Sequence, residues 1–280
     1  RCIRQNPPKY VNDCNTMNNS NPLHWSFDYN YGAQNPQFAQ ELIRILRGYD
    51  PEISTSGTQK AHAVTHVYDI LPNYWRGYSR GGVKEELSIG TAIIERSKNG
   101  NNLWSYSVQY ENTTSGENLE IKFRCEDEDY RPLTGNWGVD ARNSGDDTYS
   151  RLSCEGYLAL DSEIRLRING TEISAGTVDT SVKLTCNWAL FDVIPALTRT
   201  IRASGDGIDI AVLEDLEQLR PKSRLGFLES IQTPLPLDGY YLYGAGLLPS
   251  YWWLDVHGNI AIASTFFETL VLREKMGDRK

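Results

Sequence analysis

Hydrophobic and polar residues alternate singly along much of this chain. Leu119 to Cys125 reads LEIKFRC, with Leu119, Ile121 and Phe123 on one face and Glu120, Lys122 and Arg124 on the other. EIRLRI repeats the pattern, setting Ile164, Leu166 and Ile168 against Arg165 and Arg167. LWSYSVQY from Leu103 and the run from Val182 to Phe191 extend the series, and Gly, Asn, Asp and Ser separate the segments. Period two is the repeat of a strand with one covered face, so the series predicts antiparallel sheets. The clearest hairpin is Tyr251 to Asp255, a turn at Val256-His257-Gly258-Asn259, and then Ile260 to Leu272. Its Gly-Asn centre can take positive φ. Within its first arm, Trp252 and Trp253 must face opposite sides.

Helical spacing appears twice. Asn35 caps and Pro36 opens a helix carrying Phe38, Leu42, Ile45 and Leu46, which Gly48 ends. Val212 to Leu219, with Leu213, Leu216 and Leu219 on one face and Pro221 beyond, predicts a short second one. The expected fold is mainly β, an antiparallel β-barrel or β-sandwich with one or two minor helices. Arg80-Gly81-Gly82 divides residues 1–80, an arm and helix packing on the sheet, from an antiparallel domain over 81–280. Both belong to one compact unit.

Composition narrows the partners. With 40% hydrophobic and 23% charged residues the chain of 280 can bury a full core. A net charge of −8 argues against nucleic acid. No apolar run approaches the ~18 residues of a membrane-spanning helix. The opening Arg1-Cys2-Ile3, without initiator Met or apolar leader, reads as a mature secreted chain. Sequons at Asn18, Asn112 and Asn169 suggest glycosylation on a eukaryotic secretory route. The five cysteines include no CxxC pair. Cys2–Cys14 is the expected disulfide, tying down the arm, with a second between two of Cys125, Cys154 and Cys186. The alternative for those three is buried thiols packing as small hydrophobes.

Few motifs carry chemistry. His62 and His66 in AHAVTHVY sit among β-branched residues, and on a strand they lie about 13 Å apart at ~3.3 Å per residue. That is too far for one ion, so no metal is expected. Glu126-Asp127-Glu128-Asp129, followed by Asp140, Asp146 and Asp147, offers oxygen ligands for calcium but lacks EF-hand spacing, so it reads as a solvated acidic turn. Gly244-Ala245-Gly246 is a turn or bulge, not a dinucleotide loop, and no cofactor is expected. Asp192, in ALFDVIPAL, must pair with a cation or shift its pKa upward.

The chain carries 7 Trp and 16 Tyr, spread over many of these segments. If the rings surround a hollow, Trp104, Tyr106, Tyr157, Trp188 and Trp252 line it, with Asp192, His62 and Arg76 for catalytic polar work. The leading reading is a secreted, metal-independent enzyme cyclising, isomerising or dehydrating a small, largely apolar molecule. A second is a carbohydrate-active protein (glycoside hydrolase, lyase or sugar-binding module), with the glycan as partner. A hydrolase would use two of Glu120, Glu163, Asp192 and Glu268 at ~5–10 Å. A third is a non-catalytic secreted interaction protein, which a layout with every Trp in the core would favour.

Overall fold

The structure, a computed structural model, describes residue 49 and residues 63–72, 88–99, 102–143, 151–232, 235–265 and 267–277. One wing is a meander of β1 (Ala63–Pro72), β2 (Gly90–Lys98), β3 (Leu103–Asn112), β4 (Glu117–Glu126), β5 (Asn136–Asn143), β6 (Arg151–Leu158), β7 (Glu163–Ile168) and β8 (Thr171–Thr177). The chain then forms β9 (Leu184–Cys186), a 3-10 turn at Asn187–Ala189, and the helix α1 (Leu190–Ser204). A second meander follows: β10 (Ile208–Glu214), β11 (Gln218–Ile231), β12 (Leu237–Gly244), β13 (Leu247–Asp255), β14 (Ile260–Ser264) and β15 (Glu268–Gly277).

All belong to one 15-stranded sheet, in which β1 pairs with both β2 and β15 and joins the wings. The candidate boundary near residue 80 therefore falls between two neighbouring strands of one sheet. All the pairs are antiparallel except β9 with β10, which are parallel and bridged by α1.

The sheet curls until its wings meet. Leu133 N donates to Leu184 O at 3.0 Å, joining the β4–β5 loop to β9. Trp137 Nε1 on β5 donates to Leu216 O in the β10–β11 turn at 3.1 Å. The interior so formed is barrel-like and holds α1. The helix buries Leu190, Phe191, Val193, Ile194, Leu197 and Ile201, one broad helical stripe, against the inward residues of both wings. A smaller cluster of Leu71, Ile231, Leu237, Trp253, Ala261, Ile262 and Val271 lies on the outer face of the second wing and the adjoining seam strand β1. Trp252 belongs to the inner core and Trp253 to this outer one, as their adjacency requires.

Glycine and aromatic residues face each other across three strand pairs: Gly156 with Trp137, Gly226 with Tyr241, and Gly239 with Trp253. A Cβ on these glycines would lie 2.2, 2.2 and 2.7 Å from ring atoms of the partner, so each ring lies across its glycine.

Several elements depart from the sequence pattern. Residues 212–219 are the end of β10, a tight turn and the start of β11. Asp215 (φ 49°) and Leu216 (φ 59°) are both left-handed in a three-residue loop closed by Glu217 N donating to Glu214 O, and Leu213 pairs across to Leu219. The run from Val182 to Phe191 is a strand only at β9, because its later hydrophobic residues open α1. The segment to Leu272 bends a second time, at 265–267, between β14 and β15. Cys125, Cys154 and Cys186 are free and buried, so the second disulfide is not formed. Burial pushes the Cys154 thiol up to about 11 and that of Cys186 up to about 12.

Asn112 is buried. Its amide donates to Tyr110 Oη at 3.3 Å and its Oδ1 accepts from the Thr114 and Ser115 N–H groups. Asn169 is exposed in the β7–β8 turn, at φ 47° before Gly170 at 87°. Cys2, Cys14, Asn18, the helix expected over 35–48, His62, Arg76, Trp75, Asp146 and Asp147 lie outside the described residues.

Candidate functional site

Asp192 stands in the first turn of α1, where a carboxylate complements the helix dipole. Opposite it, Arg96 continues the inward series Ala92, Ile94 on β2, and its Nη1 forms an ion pair with Asp192 Oδ1. Tyr106, whose strand position faces Arg96, donates its hydroxyl to Asp192 Oδ2 at 2.8 Å. Burial, and then the Asp192 charge, push the Tyr106 phenol well above its ordinary range. Asp192 thus pairs with a cation, the first of the two outcomes expected of a carboxylate in an apolar stretch.

On β1, next to β2, His66 faces the same interior and is only 2% exposed. Its register partner on β15 is Lys275. Burial lowers the His66 pKa well below the ordinary imidazole value, and the charges of Arg96 and Lys275 lower it further. Its Nε2 is buried with no hydrogen-bond partner. Lys275 is half-buried, and its ammonium pKa is lowered by burial and then by Arg96. Lys275 Nζ donates to Asn259 Oδ1 at 2.7 Å. Asn259 Nδ2 in turn donates to Asp255 Oδ2 at 2.9 Å, which also accepts the Tyr49 hydroxyl at 2.9 Å. Tyr68, two residues from His66 on the same face, stands edge-on to it at 6.1 Å and donates to Ile260 O. His66, Arg96 and Lys275 therefore form a basic corner on the inner face, flanked by two acids that already have donors.

Beside this corner the rings interlock. Phe191 meets Tyr68 at 4.9 Å and Trp252 at 5.1 Å between centroids, and stacks near Trp188 at 6.4 Å. Tyr106 stacks on Phe123 at 4.5 Å. The structure therefore brings together Tyr106, Trp188, Trp252 and Asp192 from the expected set. All but Asp192 belong to the buried core cluster that includes the α1 side chains. Trp104 is only partly buried and packs against the edge of this core. Its Nε1 donates to Asp127 at 2.6 Å and the Arg131 guanidinium sits 5.2 Å from its ring. Tyr157 is 38% exposed on β6, away from the cluster.

The acidic run is paired internally. Hydrogen bonds from Lys98 and Trp104 hold Asp127 below its ordinary range, and Glu128 meets Lys183 at 3.1 Å. Among the described residues, no three His, Cys, Asp or Glu side chains are grouped as metal ligands.

The carboxylates weighed for hydrolysis are dispersed. Glu120 is exposed on β4 and Glu163 pairs with Arg165. Glu268 accepts the Tyr110 hydroxyl at 2.7 Å. Tyr106 and Tyr110, which hold Asp192 and Glu268, are four strand positions apart, about 13 Å at ~3.3 Å per residue. Sequence reasoning missed Arg96 and Lys275. The available signal was a charged residue at an inward position of an alternating strand, plain for Arg96 after Ala92 and Ile94.

Neither a family model nor a curated protein matches the chain. Among solved structures it is similar to a beta-barrel-like protein of a domain of unknown function, DUF1849, from Brucella abortus. The TM-score is 0.50 at 6% identity, over 76% of this chain and 97% of that one, which shows the fold alone. The dehydratase domain from the CurF module of curacin polyketide synthase aligns at 11% identity over 80% of this chain and 78% of that one, with a TM-score of 0.13, too low to carry an argument. No helix among the described residues is long and apolar enough to cross a membrane.

Proposed function

We propose that the chain is a binding protein that receives the oxyanion of a small molecule, a carboxylate or phosphate, between His66, Lys275 and Arg96. The observation that carries this reading is the buried, unpartnered Nε2 of His66 beside two cations. An unsatisfied buried donor or acceptor costs ~1–3 kcal/mol, and an oxyanion oxygen accepting from Nε2–H recovers that cost. The same anion relieves Lys275, whose charge is opposed by burial and by Arg96 and whose described partner is the neutral Asn259 amide. Asp192 and Tyr106 hold Arg96 in place and leave the corner's positive charge to Lys275. Of the rings expected to line a hollow, Tyr106, Trp188 and Trp252 are buried in the core that includes α1. A binding role requires only the polar corner.

The test is titration calorimetry with acetate, succinate and inorganic phosphate at pH 6 and pH 8, on the intact chain and on Lys275→Met. Saturable binding is expected for at least one of them, tighter at pH 6 because a bound anion favours the protonated imidazole. Lys275→Met should weaken it about tenfold. Failure of all three to bind, or equal binding by the variant, overturns the reading.

A further inference from the structure

We propose a second binding site on the opposite, outer face of the sheet: Tyr241 and Tyr243 form a stacking platform for the pyranose units of a glycan. This goes beyond the oxyanion corner and shares no residue with it. Both tyrosines lie on β12 with their side chains outward, since Tyr240 and Leu242 between and beside them are core. Tyr241 stands opposite Gly226, and a Cβ on that glycine would lie 2.2 Å from its Cζ and Oη. The ring therefore lies flat along the sheet, one face on the glycine and the other turned away from it. Tyr243 is the next outward residue and is 48% exposed. Its ring is 5.6 Å from that of Tyr241 and tilted by 32°. The two make a shallow surface of adjacent rings inclined to each other by 32°.

The same ring-over-glycine arrangement occurs at Gly156 with Trp137 and at Gly239 with Trp253, where the ring is buried and serves as core. Among the described residues, only on β12 does it adjoin a second ring open to solvent. The rim is polar. Arg224, the register partner of Tyr243, donates to Asp209 Oδ1 at 2.9 and 3.2 Å and so stands fixed beside the platform.

A sugar ring suits this combination. The C–H bonds of its face pack on π-electrons, and its hydroxyls bond to the guanidinium and carboxylate at the edge. A nucleic acid would stack equally well, but its phosphates would meet Asp209 on a chain of net charge −8.

Affinity electrophoresis of the full chain through gels containing soluble β-glucan, xylan, mannan or chitosan tests the proposal, with Tyr243→Ala, Tyr241→Ala and Tyr243→Phe compared. Tyr243→Ala is the decisive variant because its exposed ring supports little of the fold. At least one polysaccharide should retard the parent chain. Affinity should fall about tenfold in each alanine variant and survive in Tyr243→Phe. No retardation by any gel, or retardation that Tyr243→Ala leaves intact, overturns it. Self-association in sedimentation that Tyr243→Ala abolishes, without polysaccharide binding, would assign the platform to a second copy and also overturn it.

Discussion

The two wings of the sheet use the same hairpin architecture but are covered differently. In β4 the alternation is strict: Ile121, Phe123 and Cys125 are buried while Glu120, Lys122 and Arg124 are exposed. In β13 and β14 every residue from Ser250 to Asp255 and from Ile260 to Ser264 is buried. The first wing packs α1 on one face and meets water on the other. The second carries the α1 core inside and the Trp253 cluster outside. Single alternation therefore marks a strand covered once, and an unbroken apolar run marks one covered twice.

Substitutions can break this contrast. The largest effect is expected at Trp253, whose removal empties the outer cluster against Gly239. Trp253→Ala should cost about 4 kcal/mol in chemical denaturation, whereas Trp104→Ala, at a partly buried position of the first wing, should cost about 1 kcal/mol. Equal losses would mean that the outer cluster is not a second core. Next comes the ion pair that fastens α1 to the first wing. Arg96→Met strands a largely buried Asp192 and should cost about 3 kcal/mol. A double-mutant cycle with Asp192→Asn should recover most of that as coupling, and additive losses would contradict the pairing.

A smaller penalty probes the rings over glycine. Gly239→Ala and Gly156→Ala place a methyl against Trp253 and Trp137 and should cost about 2 kcal/mol each. Gly138→Ala, whose nearest neighbour would be 3.8 Å away, serves as the control and should lose far less.

The smallest effect comes from pH. The pKa of His66 is lower in the folded chain than in the unfolded one, so the unfolded chain binds the extra proton first as pH falls. The stabilisation is complete above the ordinary imidazole range and declines as pH drops from about 6.5 toward the lower folded value. Between pH 7 and pH 5 the parent should lose up to about 2 kcal/mol more than His66→Gln, measured by denaturant titration at each pH. Parallel profiles would show that His66 is not held neutral.

Most of the strand plan was legible because one-sided strands write their environment into alternation, as LEIKFRC and EIRLRI do. The helix was not. Val193, Ile194 and Pro195 disguise the stripe of Leu190, Val193, Ile194, Leu197 and Ile201, since β-branched residues favour strands and proline weakens a helical interior. The hairpin at Asp215-Leu216 was hidden for the opposite reason: leucine rarely takes the left-handed turn, and its spacing with Leu213 and Leu219 imitates a helix. Asn169-Gly170, a strong turn signal, forms the turn between β7 and β8 within its sequon. Of the candidate corner, Asp192 was visible from its apolar surroundings. Arg96, His66 and Lys275 come together only through the pairing of β1 with both β2 and β15, which local pattern does not encode.

That pairing has a consequence for how the molecule is made. During synthesis β1 leaves the ribosome roughly 200 residues before β15, so the seam between them waits until every other strand has emerged. Each meander can assemble from neighbours as it appears, but closing the seam spans nearly the whole described length and should set the pace of maturation. Until then β1 presents an unsatisfied edge, and truncation anywhere before β15 would leave a nascent chain with that edge permanently open to aggregation.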